Sequence, residues 1–249
     1  MPSASPGGGV KDLAGGHSGE VDETARPHPS PPADWRHGRL LARPGQATAA
    51  APAPGLHQLA TGLLYVPAAP PGRPRQLLVV LHGAGGSAGQ AFDLLGDHAG
   101  DHALLLLCPQ SAGSTWDVIA GGYGPDVRRI DDALAHVFAR FRVDPADVAV
   151  AGFSDGASYA LSLAVANGDL LTAALAFSPG FLAPLLSTGR PRFFISHGVS
   201  DRVLPVERCS RRVVPALRAA GYNVTYEEFA GGHEVPAGTV STALDWLER

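Results

Sequence analysis

A serine lies between two glycines in Gly152-Phe153-Ser154-Asp155-Gly156, at the end of the run DVAVAGF. A serine hydroxyl becomes a useful nucleophile only when it is exposed and hydrogen-bonded to a base. A sharp strand-to-helix turn lifts it off a sheet, and the crowded backbone leaves little room two residues to either side, hence G-x-S-x-G. A helix starting at the serine turns free N–H groups and its positive dipole end toward any oxyanion formed there. Alone, the pattern also suits an ordinary turn in a glycine-rich chain. Its position after an apolar run and before a helix-forming stretch favours the nucleophile.

Three further loops complete a constellation. LHGAGGSAG, residues 81–89, follows an apolar run, and its glycines allow a backbone amide to face the serine. A phosphate-binding loop would need a Lys-Ser/Thr pair next, which is missing. We therefore expect an oxyanion hole formed by the N–H groups of Ala84 and Asp155, with His82 holding the loop rather than acting as a base. ISHGVSDRVLP places Asp201 after another apolar run, and FAGGHEVP places His233 in a glycine-flanked loop. Both fall at the strand ends where open α/β sheets hold their sites. The order Ser…Asp…His suits this architecture, with His233 as proton carrier and Asp201 orienting its ring.

The competing residues are weaker candidates. His197 sits near a strand end, but the glycines around His233 give that histidine the exposed loop. His98, His102 and His136 read as surface or helix residues. Glu227, Glu228 and Glu234 stand too close in sequence to the histidine they would orient. Asp131-Asp132 reads first as the solvated face of a helix, with support of the serine turn as the rival. No His/Cys/Asp cluster has metal-ligand spacing, so neither metal nor cofactor is expected.

Positioning these groups requires a regular alternation of elements. QLLVVLHG, ALLLLCP, DVAVAGF, LTAALAFS and RFFISHG are continuous apolar runs, as expected for strands covered on both faces. HQLATGLLYVP reads as a strand and turn, followed by a Pro-rich loop at 67–74, and YNVTYEEF as a last strand. AGQAFDLLGDHA, DGASYALSLAVANG, VERCSRRVVPALRAAG and PAGTVSTALDWLER read as helices, the third interrupted by Pro215. In GPDVRRIDDALAHVFARF, Ile130, Ala133, Leu134, Val137, Phe138 and Phe141 fall on one helical face. The alternation predicts an α/β fold: a mostly parallel central sheet with helices on both faces, over residues 56–249. Residues 1–55, rich in Pro, Gly and Ser, are expected to form a disordered tail.

The 249 residues can bury a sizeable core. A net charge of −4 with scattered arginines argues against nucleic acid as a partner. No stretch approaches the roughly 20 apolar residues needed to span a bilayer. The N-terminus lacks the apolar core of about 7–15 residues that a secretory signal carries, so the cytoplasm is the expected address. Cys108 and Cys209, the two cysteines, are expected to be buried thiols.

LHGAGGSAG, GFSDGAS, HGVSDRVLP and GGHEVP, in that order, resemble the α/β-hydrolase superfamily, and within it the phospholipase/carboxylesterase branch that includes acyl-protein thioesterase-like enzymes. The resemblance covers about residues 75–249. It implies the Ser154–Asp201–His233 triad, a minimal cap and carboxylesterase activity on a small-molecule ester. A thioesterase, an acyltransferase or a perhydrolase on the same triad is the alternative. A catalytically inactive binding module is the rival of a different class. STWDVIAGG resembles the same branch, where a tryptophan helps wall the acyl pocket, so Trp116 is carried over as a substrate contact, with simple packing as the alternative. Family members often have Gln and Gly where this chain has Asp155 and Ala157. Oxyanion donation uses the backbone and survives that change, while the role of the Asp155 side chain stays open. Short polyhydroxyalkanoate and feruloyl esterases share the LHGxGG opening, which leaves the substrate class open. PGFLAPLLSTGRP is a short cap, for which we expect an open cleft suited to modest acyl chains.

Overall fold

A computed structural model describes residues 34–68 and 73–249. The expected Pro-rich loop at 67–74 and the expected tail at 1–55 both lie partly outside the described residues, the tail over 1–33. Along the continuous apolar runs, side chains alternate between two cores, as a two-residue repeat requires when both sheet faces are covered. Leu77, Val79 and Leu81 of one strand enter the first core, and Leu78 and Val80 the second.

Eight strands form one sheet in the order β1-β2-β4-β3-β5-β6-β7-β8. They are β1 (Gly55–Leu59), β2 (Gly62–Val66), β3 (Arg75–Leu81), β4 (Leu105–Pro109), β5 (Val143–Phe153), β6 (Ala173–Phe177), β7 (Arg192–Gly198) and β8 (Val224–Phe229). β3 to β8 are all parallel, and β2 runs antiparallel to both β1 and β4. The stretch HQLATGLLYVP thus makes two strands rather than one. Gly62 permits the tight return: its φ is +150°, and a Cβ there would lie 2.1 Å from the Cys108 carbonyl oxygen.

The helices are α1 (Ala88–Ala99), the one-turn α2 (Asp117–Ala120), α3 (Pro125–Phe138), α4 (Asp155–Ala166), α5 (Ser210–Ala219) and α6 (Ala237–Leu247). α1 and α6 cover one sheet face, and α3, α4 and α5 the other. α3 buries Ile130, Ala133, Leu134, Val137 and Phe138, the stripe expected from its sequence. α5 continues through Pro215 and buries Val213, Val214 and Leu217. α4 is buried from Gly156 through Ala166, which explains its nearly uniform run of small and apolar residues. Both cysteines are buried and unpaired. Among the described residues no helix is long and apolar enough to cross a membrane.

The expected tail boundary at residue 55 requires correction, because the chain is docked from Asp34 onward. Leu40 is 1% exposed within the first core. Its N–H donates to Asn167 Oδ1 at 2.8 Å, and Asn167 Nδ2 donates back to the Gly38 carbonyl at 2.7 Å. Arg39 makes two 2.8 Å bonds to the Asp169 carboxylate and one of 2.6 Å to the Ala166 carbonyl, at the negative dipole end of α4. Arg43 also binds Asp169. Asp131 Oδ1 accepts the N–H groups of Leu41 and Ala42, so this carboxylate anchors the leading segment and not the serine turn. A Pro/Gly-rich stretch with one buried leucine has no periodicity to reveal such docking.

Leu40→Ala is expected to destabilise the protein by about 2–5 kcal/mol, the range for a buried leucine. Urea unfolding checks this; a change within about 0.5 kcal/mol, typical of a surface position, contradicts the docking.

Candidate active site

Ser154 sits between β5 and α4 with φ 57° and ψ −120°, a backbone conformation that side chains other than glycine's rarely adopt. The flanking glycines show why. A Cβ on Gly152 would lie 2.3 Å from the Gly156 carbonyl oxygen, and one on Gly156 would lie 2.3 Å from that of Leu81. β3 and β5 are neighbours, with Leu81 opposite Gly152, so the elbow is pressed between the start of α4 and the end of β3. The Ser154 N–H donates to the Phe177 carbonyl at 2.9 Å, which fixes the turn to β6.

The structure brings Ser154, Asp201 and His233 together. The Ser154 hydroxyl donates to His233 Nε2 at 2.9 Å, and His233 Nδ1 donates to Asp201 Oδ2 at 2.6 Å. The Asp201 side chain is fully buried, while Ser154 is 8% exposed. Burial alone would raise the Asp201 pKa. The Leu204 N–H, His233 and the Val203 N–H outweigh it and hold the carboxyl below its usual range.

His197, set aside in the sequence, belongs to this constellation. It is fully buried, and its Nε2 donates to the Leu204 carbonyl at 2.7 Å while lying 3.3 Å from Asp201 Oδ2. A carbonyl can only accept, so Nε2 carries a proton; in the neutral ring that burial favours, Nδ1 accepts from the Ser210 hydroxyl at 2.7 Å. His197 is thus a neutral brace beneath the acid. Burial lowers its pKa first, against the opposing pull of the Leu204 carbonyl and Asp201. The signal available was its position, four residues before Asp201.

The loop that carries Ala84 lies beside the turn that carries Asp155. A Cβ on Gly83 would meet the Ser154 Cβ at 3.4 Å, so the glycine loop lies against the serine. Among the described residues, neither the Ala84 nor the Asp155 N–H donates a hydrogen bond. The loop at 110–117 braces both sides. The Ser114 carbonyl accepts the Gly85 N–H at 2.6 Å, and the Thr115 hydroxyl donates to Asp155 Oδ2 at 2.7 Å. This contact occupies the half-buried Asp155 side chain.

Trp116 packs rather than walls a pocket, which corrects its assignment as a substrate contact. It is 0% exposed, its Nε1 donates to the His82 carbonyl at 2.8 Å, and its ring stacks on Tyr159 at 5.2 Å. A buried indole must satisfy its N–H, and here the acceptor belongs to the glycine loop itself. His82 holds that loop as expected. Its Nδ1 donates to the Gly83 carbonyl at 2.8 Å and its Nε2 accepts the Ser111 N–H at 3.2 Å, an arrangement open only to the neutral ring. Burial lowers its pKa accordingly.

Two carboxylates unnoticed in the sequence secure the bracing loop. Asp126, 1% exposed, accepts the N–H groups of Ala112 and Asp117 at 2.6 and 2.8 Å. Asp117 accepts those of Gly124 and Asp126 and the Tyr159 hydroxyl, each at 2.8 Å. Burial raises the Asp126 pKa despite these donors.

No family model matches the chain. An acetylxylan esterase of Coprinopsis cinerea is 31% identical over 128 residues, which are 47% of this chain and 34% of that protein. The chain thus spans about a third of the length of this relative. The crystal structure of esterase PE8 superposes with a TM-score of 0.62 at 24% identity, over 78% of this chain and 98% of that one. A phospholipase/carboxylesterase from Dyadobacter fermentans gives 0.60 at 20% identity, over 78% and 99%. A carboxylesterase of Bacillus cereus gives 0.57 at 20%, over 70% and 88%.

His82 and His197 take up a proton at lower pH when folded than in the unfolded chain, where each does so near pH 6.5. Their stabilising contribution is therefore complete above about pH 6.5 and is lost as the pH falls, by at most about 1.4 kcal/mol per pH unit for each. Urea unfolding from pH 7 to pH 5 is expected to show declining stability. His197→Asn should make the decline shallower.

Proposed function

The chain has the α/β-hydrolase fold, and from that premise we propose that it is a serine hydrolase cleaving carboxylic esters through an acyl-enzyme. The observation that carries this reading is the unbroken hydrogen-bonded line Ser154–His233–Asp201 beside two amides that have no partner among the described residues. The esterase identity of the neighbours and the local likeness to an acetylxylan esterase support an ester as substrate.

In this mechanism Ser154 Oγ attacks the ester carbonyl as its proton passes to His233 Nε2. Negative charge develops on the carbonyl oxygen, and the Ala84 and Asp155 N–H groups receive it. Their advantage is that they are already oriented: Ser114, Thr115 and Trp116 hold the two turns that carry them. Asp201 remains ionised and stabilises the imidazolium, with His197 fixing the carboxylate from below. Collapse of the tetrahedral intermediate breaks the bond to the alcohol oxygen, which leaves with the proton from His233. A water then gives its proton to His233 and attacks the acyl carbon, and a second collapse releases the acid and restores Ser154.

A fluorophosphonate probe is expected to label the wild-type protein and not Ser154→Ala. Hydrolysis of p-nitrophenyl acetate by that variant should fall by at least ~10³-fold. Labelling of folded Ser154→Ala equal to wild type sinks the proposal. Thr115→Val should lower kcat about tenfold with little change in KM, less than the ~10²–10³ of a lost oxyanion donor, and Thr115→Ser should restore most of it.

A further inference from the structure

A cavity of about 300 Å³ lies between α1 and the end of β5, walled by Leu81, Gly83, Ala84, Ala91, Leu94 and Phe153. It adjoins the reacting groups on two sides. Ala84 belongs to the oxyanion loop, and the Phe153 ring, one residue before the nucleophile, packs 4.7 Å from the His233 ring. The space exists because the loop and the first turns of α1 present glycines and alanines where larger side chains would fill it. Gln90 also lines it, but its amide oxygen is turned back to the Ser87 N–H at 3.0 Å in the helix cap. His82 lines it too, its ring nitrogens engaged by the Gly83 carbonyl and the Ser111 N–H. The walls are therefore largely apolar, with no Asp, Glu, Lys or Arg among the described residues that line the cavity.

We propose that this cavity seats an apolar group of the ester. The inference rests on the hydrolase reading above and adds the size and chemistry of the substrate. At ~30 Å³ for a water-sized group, the volume admits about ten non-hydrogen atoms, a short alkyl chain or a single aromatic ring. It lies at the small end of the ~300–1,000 Å³ found for ligand pockets. A group seated there stays next to both the Ala84 amide and His233 and loses its hydration against Phe153 and Leu94. The shared chemistry could come from the acyl or the alcohol side of the ester.

Two substrate series separate these sources: p-nitrophenyl esters of lengthening acids, and acetates of lengthening alcohols. In the wild type, kcat/KM should rise with length in one series and level off within about ten carbons. Leu94→Trp, which fills the cavity, should lower the long-to-short ratio in that series at least tenfold, and Leu94→Ala should raise it. The responding series identifies the side of the ester that is seated. Ratios unmoved by both variants in both series overturn the proposal. A binding measurement stands apart from turnover: hexyl acetate titrated into Ser154→Ala protein should give saturable NMR shifts at the Ala84, Ala91 and Leu94 methyls, lost in Ser154→Ala/Leu94→Trp. Saturable shifts without turnover by wild type leave the cavity assigned and overturn the hydrolase reading. Turnover with neither saturable shifts nor an altered ratio does the reverse.

Discussion

The backbone of Ser154 is the constraint on which the site depends. Its left-handed geometry costs on the order of 1–3 kcal/mol, and such strain persists only where the surroundings over-determine it. Here the surroundings are two contacts that only hydrogen can occupy, Gly152 against Gly156 and Gly156 against the end of β3. Sheet order supplies the second, because β3 and β5 are hydrogen-bonded neighbours. The pressure that aims the serine outward also sets the glycine loop after β3 against it. The Ser154 turn and the glycine loop after β3 therefore share one origin, the adjacency of two strands separated by α1, β4, α2 and α3 in the chain.

Around that elbow, order is imposed by hydrogen bonds that each leave one protonation state. A carbonyl facing one ring nitrogen and an N–H facing the other keep His82 neutral. For His197 the Leu204 carbonyl places a proton on Nε2, and burial favours the neutral ring. Asp117 and Asp126, ringed by backbone N–H groups, tie down the 110–117 loop as a rigid brace. Fully satisfied polar networks of this kind specify a unique local geometry. Trp116 and Tyr159 fill the space between the brace and α4, so that packing and polarity act on the same atoms.

The sequence made most of this legible, for reasons that differ by residue. Strand and helix periodicity revealed the sheet because both of its faces are covered. Ser154, Asp201 and His233 stood out because each follows a strand, and the parallel sheet gathers strand ends on one edge. Trp116 was ambiguous because a tryptophan in a loop can face a ligand or fill a core, and only the direction of its N–H decides. Asp126 was invisible as a support because its partners are backbone N–H groups, which carry no residue-specific signal, and His197 because its spacing from Asp201 does not show which way the ring turns. The leading segment was misjudged for a related reason, since composition cannot show that one leucine and two arginines meet Asn167 and Asp169.

That leading segment grips the end of α4 remote from Ser154, through bonds between residues 127 positions apart. Closing such a separation must wait for most of the parallel sheet, since non-local contacts form only after the loop-closure entropy has been met. During synthesis the segment leaves the ribosome before the helix it clasps exists. Its arrival at Asn167 and Asp169 is then a late event of folding, a latch fastened after α4 is in place.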